Sequence, residues 1–121
     1  MDHETRTLVA GRLLAAYESR EPLEPLTSTY EGMTLEDSYA IQLLQIEQRL
    51  AAGRTVQGHK VGLTSAAMQR LLGVTEPDYG HLLDDFFHLE HMPIPVGTFL
   101  QPRVEPEIGR ASCRERVCWI V

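Results

Sequence analysis

Gly58-His59-Lys60-Val61-Gly62-Leu63-Thr64-Ser65 contains the only lysine among 121 residues. It reads as the end of a strand, Thr55 to Leu63, that stops at a helix cap. Side chains alternate faces along a strand, so Gly58, Lys60 and Gly62 share one face. The ammonium then lies between two positions without a side chain. Glycine weakens a strand and often marks close approach by a ligand or another backbone. Lys60 is therefore a candidate catalytic residue, against the plainer reading of a surface lysine on a weakened strand. Thr64 or Ser65 caps a short helix, Ala66 to Leu72, closed by Gly73. The free N–H groups of a helix start suit a substrate carboxylate, although a Ser or Thr there is more often a plain cap.

Upstream, Val9, Leu13 and Tyr17 recur every four residues with Ala10 and Leu14 beside them, which predicts a helix from about Thr5 to Ser19. Glu21-Pro22-Leu23-Glu24-Pro25 ends it, because proline cannot continue a helix and restricts the residue before it. A loop runs to Gly32. Thr34 then caps a second helix whose first-turn acids, Glu36 and Asp37, suit the helix dipole. Its stripe of Tyr39, Leu43, Ile46 and Leu50 is expected to be core or subunit-contact surface, and Gly53 is its stop.

Downstream, Glu76-Pro77-Asp78-Tyr79-Gly80 has the composition of a turn. Asp84 and Asp85 are adjacent, point in different directions and read as solvated or capping groups. His81, His88 and His91 fit no standard metal-ligand spacing. Pro93-Ile94-Pro95 leads into an expected last strand, Thr98 to Ile108. There Glu105 and Glu107 lie two apart on one face. Carboxylates this close repel unless a cation lies between them or one is protonated. Hard oxygen ligands favour Mg²⁺ or Mn²⁺ over zinc. The plainer reading is a solvent-facing edge strand, which Pro106 supports. Arg103 shares the face of the two glutamates by parity.

The formal charge of −6 and the absence of a basic cluster argue against a nucleic-acid partner. No apolar run approaches a membrane span, the first residues lack a secretion signal, and a cytoplasmic location is the default expectation. Both cysteines and the only tryptophan fall in the last nine residues. Residues 109–121 carry three arginines and one glutamate, a formal +2, which leaves −8 for Met1–Ile108. From Ile108 to Cys118 the sequence resembles the conceptual translation of a sequencing adapter. The expected organisation is thus residues 1–108 as one portion of a domain and 109–121 as a non-native tail.

Several motifs together carry a resemblance. They are Gly58 to Ser65, Ala67-Met68-Gln69, Leu72-Gly73-Val74, Glu76-Pro77-Asp78-Tyr79-Gly80 and Gln101-Pro102-Arg103-Val104-Glu105-Pro106-Glu107-Ile108, with Asp37 to Gln42 in the second helix. In this order and spacing the chain resembles the 2-keto-4-pentenoate hydratases of the fumarylacetoacetate hydrolase superfamily. The resemblance implies an α+β fold: N-terminal helices, then the first strands of a mixed, curved β-roll, here truncated. It implies a divalent-metal hydro-lyase of aromatic catabolism, a homo-oligomer when full length, that adds water to a 2-hydroxydienoate to give a 4-hydroxy-2-oxo acid. Carried over by residue, Glu105 and Glu107 are metal ligands for Mg²⁺ or Mn²⁺, and Lys60 and Asp78 move protons. Thr64, Ser65 and Arg103 are candidate substrate-binding residues for a small 2-oxo acid. The family's third carboxylate ligand lies beyond the matching stretch. Two related activities are alternatives, hydration of 2-oxohept-4-ene-1,7-dioate and decarboxylation of 2-oxo-3-hexenedioate. Leu83-Asp84-Asp85-Phe86-Phe87 leans towards the longer dioate. The alternative of another class is an inactive fragment that only self-associates.

Overall fold

The computed structural model describes residues 1–89, 91–100 and 102–103, and the backbone of 117–118. Helix α1 spans His3–Ser19, the single-turn α2 spans Leu26–Thr29, and α3 spans Leu35–Ala51. Strand β1 (Val56–Gly62), helix α4 (Ala66–Leu72) and strand β2 (Asp78–Leu83) follow. A 3₁₀ turn at Asp84–Phe86, the short β3 (His88–Leu89), a second 3₁₀ turn at Val96–Thr98 and β4 (Val117–Cys118) complete the order. This is the expected α+β arrangement of helices before strands. The described sheets are two antiparallel pairs, β1 with β2 and β3 with β4. No helix among the described residues is long and apolar enough to cross a membrane.

Caps set the helix limits. The Asp2 carboxylate accepts the Thr5 N–H at 2.8 Å and starts α1 two residues before the expected Thr5. Thr34 and Asp37 close a reciprocal capping box at the start of α3. At its end the Arg54 N–H reaches the Arg49 carbonyl at 3.0 Å around Gly53, whose φ of 91° is open to glycine at little cost.

The core sits between α1 and α3. Val9, Ala10 and Ile41 are buried, with Leu13, Leu26, Tyr30, Met33 and Leu44 packed around them. The apolar stripe read from α3 does not form this core: Leu43 and Leu50 are 48% and 42% exposed. The buried positions of α3 are Asp37 and Ile41. The packed face is rotated from the stripe because a polar residue, Asp37, is buried beside Ile41.

Asp37 has every oxygen engaged. Arg6 donates from Nε and Nη2 to Oδ1 at 2.9 and 2.7 Å, and the Met1 amine lies 3.2 Å from the same oxygen. The Thr34 N–H and hydroxyl donate to Oδ2 at 2.9 and 3.0 Å. Hydrogen bonds from Thr34, then from Arg6, hold this carboxyl far below the usual carboxylate range.

Candidate functional site

The hairpin of β1 and β2 builds the site. In the antiparallel register Lys60 faces Gly80 and Gly62 faces Asp78. Directly opposed residues share a face, so Gly58, Lys60, Gly62, Asp78 and Gly80 are on one side of the hairpin. Along β1 these even positions are the half-buried ones, and Gln57, His59 and Val61 are exposed, as the alternation predicts. Asp78 was expected in a turn. It is instead the first residue of β2, because the chain reverses earlier, between Val74 and Pro77.

Gly62 is bare for a visible reason. A Cβ at this position would collide with Oδ1 of Asp78 and lie 3.3 Å from its Cγ. The close approach that a strand glycine signals is thus made by a neighbouring carboxylate. At Gly58 a Cβ would meet nothing within 4 Å.

The other face of the hairpin rests on α3. Tyr39 stacks on Tyr79 with centroids 4.8 Å apart. Gln42 donates to the Tyr79 carbonyl at 3.4 Å, and its Oε1 lies 3.2 Å from His81 Nδ1. Leu83 is 1% exposed and anchors the hairpin. At the same end the Asp84 carboxylate accepts the Thr55 N–H at 3.0 Å, and the Thr55 carbonyl accepts the Asp84 N–H at 3.0 Å. The Thr55 hydrogen bond, with Arg54 adding to it, keeps the Asp84 carboxyl below its usual range. Asp85 pairs with Arg49, and Arg54 Nε lies 3.5 Å from it. Asp84 and Asp85 therefore clamp the hairpin to the end of α3.

A cleft of about 820 Å³ is lined by Lys60, Gly62, Asp78 and Gly80 and also by Tyr79 from the opposite face of the hairpin. Its walls also include Arg20, Arg49, His81 and Phe99. The two predicted proton-moving residues, Lys60 and Asp78, thus stand at one cleft, on adjacent strands and one step apart diagonally. Arg49 and His81 at this cleft had no sequence signal for the role. Arg49 is hidden in the last turn of a helix, and His81 read only as a poor metal ligand.

The remaining candidates fall elsewhere. Ser65 is the cap of α4, its hydroxyl accepting the Met68 N–H at 3.2 Å. Thr64, Ser65 and Arg103 are exposed and are not part of the cleft wall. Glu105 and Glu107 lie outside the described residues, as does the strand expected from there to Ile108. Its expected start at Thr98 is the end of a 3₁₀ turn. Between β1 and α4, Leu63 takes φ 52°, a left-handed conformation costing about 1 kcal/mol for a side chain with a Cβ. The Leu63 carbonyl accepts from Gln69 Nε2 at 2.6 Å, which holds this sharp exit from the strand.

No protein-family model matches the chain. Curated relatives do. A 2-oxo-hept-4-ene-1,7-dioate hydratase of Escherichia coli is 45% identical over 108 residues, covering 89% of this chain and 40% of the relative. A 2-keto-4-pentenoate hydratase of Paraburkholderia xenovorans is 42% identical over 109 residues, 90% of this chain and 40% of its own length. Among solved structures, the 4-oxalocrotonate decarboxylase of Pseudomonas putida G7, complexed with magnesium and adipate, matches with a TM-score of 0.68 at 30% identity. That match covers 71% of this chain and 33% of the decarboxylase. The chain spans about 40% of the length of these curated relatives. Within that span the chain is similar by sequence to 2-keto-4-pentenoate hydratases over nine-tenths of its residues, and by fold to the 4-oxalocrotonate decarboxylase over 71% of them.

Proposed function

We propose that the chain is part of a metal-dependent hydratase that adds water to a 2-hydroxydienoate of the 2-keto-4-pentenoate type, giving a 4-hydroxy-2-oxo acid. The observation that carries this reading is the placement of Lys60 and Asp78 on one hairpin face at the cleft, with Gly62 bare beneath the carboxylate. The relatives' names supply the reaction class.

Among the described residues no three His, Cys, Asp or Glu side chains converge as a metal-binding group. Glu105 and Glu107 would hold the cation, and their hard oxygens are the donors that Mg²⁺ or Mn²⁺ takes. The decarboxylase solved with magnesium and adipate supports a divalent ion beside a carboxylic acid. When bound, such an ion supplies Lewis-acid polarisation of a 2-oxo group.

The chain's own residues move the protons. Protonation of the dienol at C5 gives the conjugated 2-oxo acid. Water then adds at C4 and a proton is delivered to C3. Lys60 donates and accepts these protons, and Asp78, one register step away, orients the water. The hairpin clamp at Asp84 and Asp85 keeps the pair in register.

The longer substrate 2-oxohept-4-ene-1,7-dioate is the second reading, favoured by the Escherichia coli relative at 45% identity. Asp84 and Asp85, which leaned towards it in the sequence, are engaged with Arg49, Arg54 and Thr55.

The test is a chimera in which residues 1–108 replace the matching part of the Escherichia coli relative. Dienol loss is followed by absorbance, with pentadienoate and heptenedioate substrates. The expected result is Mg²⁺-dependent hydration, abolished by chelation, with Lys60→Ala lowering kcat by about 100-fold or more. Full turnover in Lys60→Ala would remove that residue from the mechanism. A well-folded chimera with no turnover would favour an inert, purely associating chain.

A further inference from the structure

Arg49 stands at the end of the cleft away from Asp78. Strand β2 starts at Asp78 and ends at Leu83, and Asp85 and Phe86 follow at once. Arg49 Nη2 bonds Oδ2 of Asp85, and the guanidinium carbon lies 5.9 Å from the Phe86 ring centroid. Among the described residues only Asp85 accepts from this guanidinium, through Nη2, and an arginine carries five N–H donors in all. The side chain is 27% exposed and forms part of the cleft wall.

We infer that Arg49 is a specificity-determining residue that takes the distal carboxylate of a dicarboxylic 2-oxo acid. The inference rests on the reading of this cleft as a 2-oxo acid site. Lys60 opposes Gly80, and the strand rise puts the Leu83 end of β2 about 10 Å from Gly80. A short-chain dioate together with a hydrogen bond at each end spans that separation, with one carboxylate in the Lys60 region and the other at the guanidinium. Asp85 and the Phe86 ring restrict the rotamers of Arg49 before the ligand arrives, which lowers the ordering cost of binding.

The charges around the cleft are compatible with a second anion. Its wall carries the cations Arg20, Arg49 and Lys60 and the carboxylates Glu18, Asp78 and Asp85. Asp85 is shared between Arg49 and Arg54, so neither guanidinium is fully offset by it. Arg54 also lies 3.6 Å from Asp84, and neither of these two is part of the cleft wall. Arg offers a planar fork that binds a carboxylate through two parallel N–H bonds, which a lysine does not.

The test is an NMR titration of the 121-residue chain with adipate and, separately, with hexanoate, which lacks the second carboxylate. Adipate is expected to bind roughly tenfold tighter. Arg49→Met brings the ratio close to one, and Arg49→Lys gives an intermediate value. Nuclear Overhauser contacts from adipate methylenes to the Phe86 ring place the ligand in the unsubstituted chain, whatever the variants do. Equal affinity for the two acids, no response to adipate, a ratio unchanged in Arg49→Met, or adipate contacts away from Phe86 would each overturn the inference. Failure of the hydratase reading looks different: the chain discriminates the two acids, but the chimera consumes no dienol.

Discussion

The α1–α3 pair and the β1–α4–β2 segment are built on opposite principles. The helical pair closes on itself: of the five buried residues among those described, four, Val9, Ala10, Asp37 and Ile41, belong to it. The hairpin segment buries only Leu83 and leaves Val61, Met68, Leu71, Leu72 and Tyr79 between 45% and 74% exposed. Under the proposed function the hairpin carries the proton-moving pair, Lys60 and Asp78, and the helices contribute Arg49. Stability and reactivity are thus separated along the chain. The helices supply a scaffold in which no buried side-chain N or O among the described residues lacks a partner, and the hairpin supplies a lysine and a carboxylate at the cleft wall. A substitution in one half is expected to leave the property of the other half nearly untouched.

Gly62→Ala tests that separation with the largest effect. The new Cβ displaces the Asp78 carboxylate, and a misplacement of about 1 Å can cost ~100-fold in rate. The chimera is expected to lose kcat on that scale. The cost to stability is expected to be only about 0.5 kcal/mol, because the group that must move is the end of a side chain. Thermal unfolding and turnover of the same preparation check both halves of the statement. A large fall in Tm with normal turnover would reverse the roles assigned to the two regions.

Asp37→Asn is the converse. It leaves Arg6 and the Met1 amine without their charge partner in the scaffold, and Tm of the chain is expected to fall by about 10 °C. The pH dependence follows from the lowered carboxyl. Above about pH 5 the group is ionised in both folded and unfolded chains, and its contribution is complete. As pH falls, the unfolded chain takes up the proton first, so stability declines until the folded-state carboxyl is also protonated. Urea titrations between pH 7 and pH 2 should show this slope in the native chain and a shallower one in Asp37→Asn. Adipate binding per folded molecule is expected to be unchanged.

Much of this division was legible in the sequence, and the illegible parts have physical causes. Period-two alternation placed Gly58, Lys60 and Gly62 on one face, and cap chemistry located α4 from Ala66 to Leu72. Both signals are local. The apolar stripe of α3, read as core or subunit-contact surface, leaves Leu43 and Leu50 outside the core, and the buried face could not be read locally because burial of Asp37 is decided by Arg6, 31 residues away. Asp78 was read as turn because Pro77 and Gly80 flank it, and its pairing with Gly62 is a tertiary fact. Arg49 was invisible for the same reason: the residues that orient it, Asp85 and Phe86, approach only when the hairpin docks on α3.

Ser65→Ala has the next smaller effect and separates capping from substrate binding. Loss of an N-cap side chain costs about 1 kcal/mol. Because α4 has no buried residue, the loss should stay local. Faster hydrogen exchange is expected at the Met68 amide, with little change in Tm. KM of the chimera is expected to be unchanged, since the Ser65 hydroxyl is used by Met68. A raised KM with unaltered exchange at Met68 would instead assign Ser65 to the ligand.

The smallest effect is expected from deletion of residues 109–121. If that segment is a non-native tail, it has no designed place in either region. Its described link to the remainder is the two-residue pairing of Val117–Cys118 with His88–Leu89, and an isolated pair of short strands is marginal in water. Neither partner belongs to the α1–α3 core or to the β1–β2 hairpin. Tm of residues 1–108 is therefore expected to match that of the whole chain within about 2 °C, which for a domain of this size is below 1 kcal/mol. The adipate-to-hexanoate ratio should also be unchanged. A larger fall in Tm would make the tail a third structural region, and residues 1–108 could no longer be treated as the part of the chain that carries both scaffold and site.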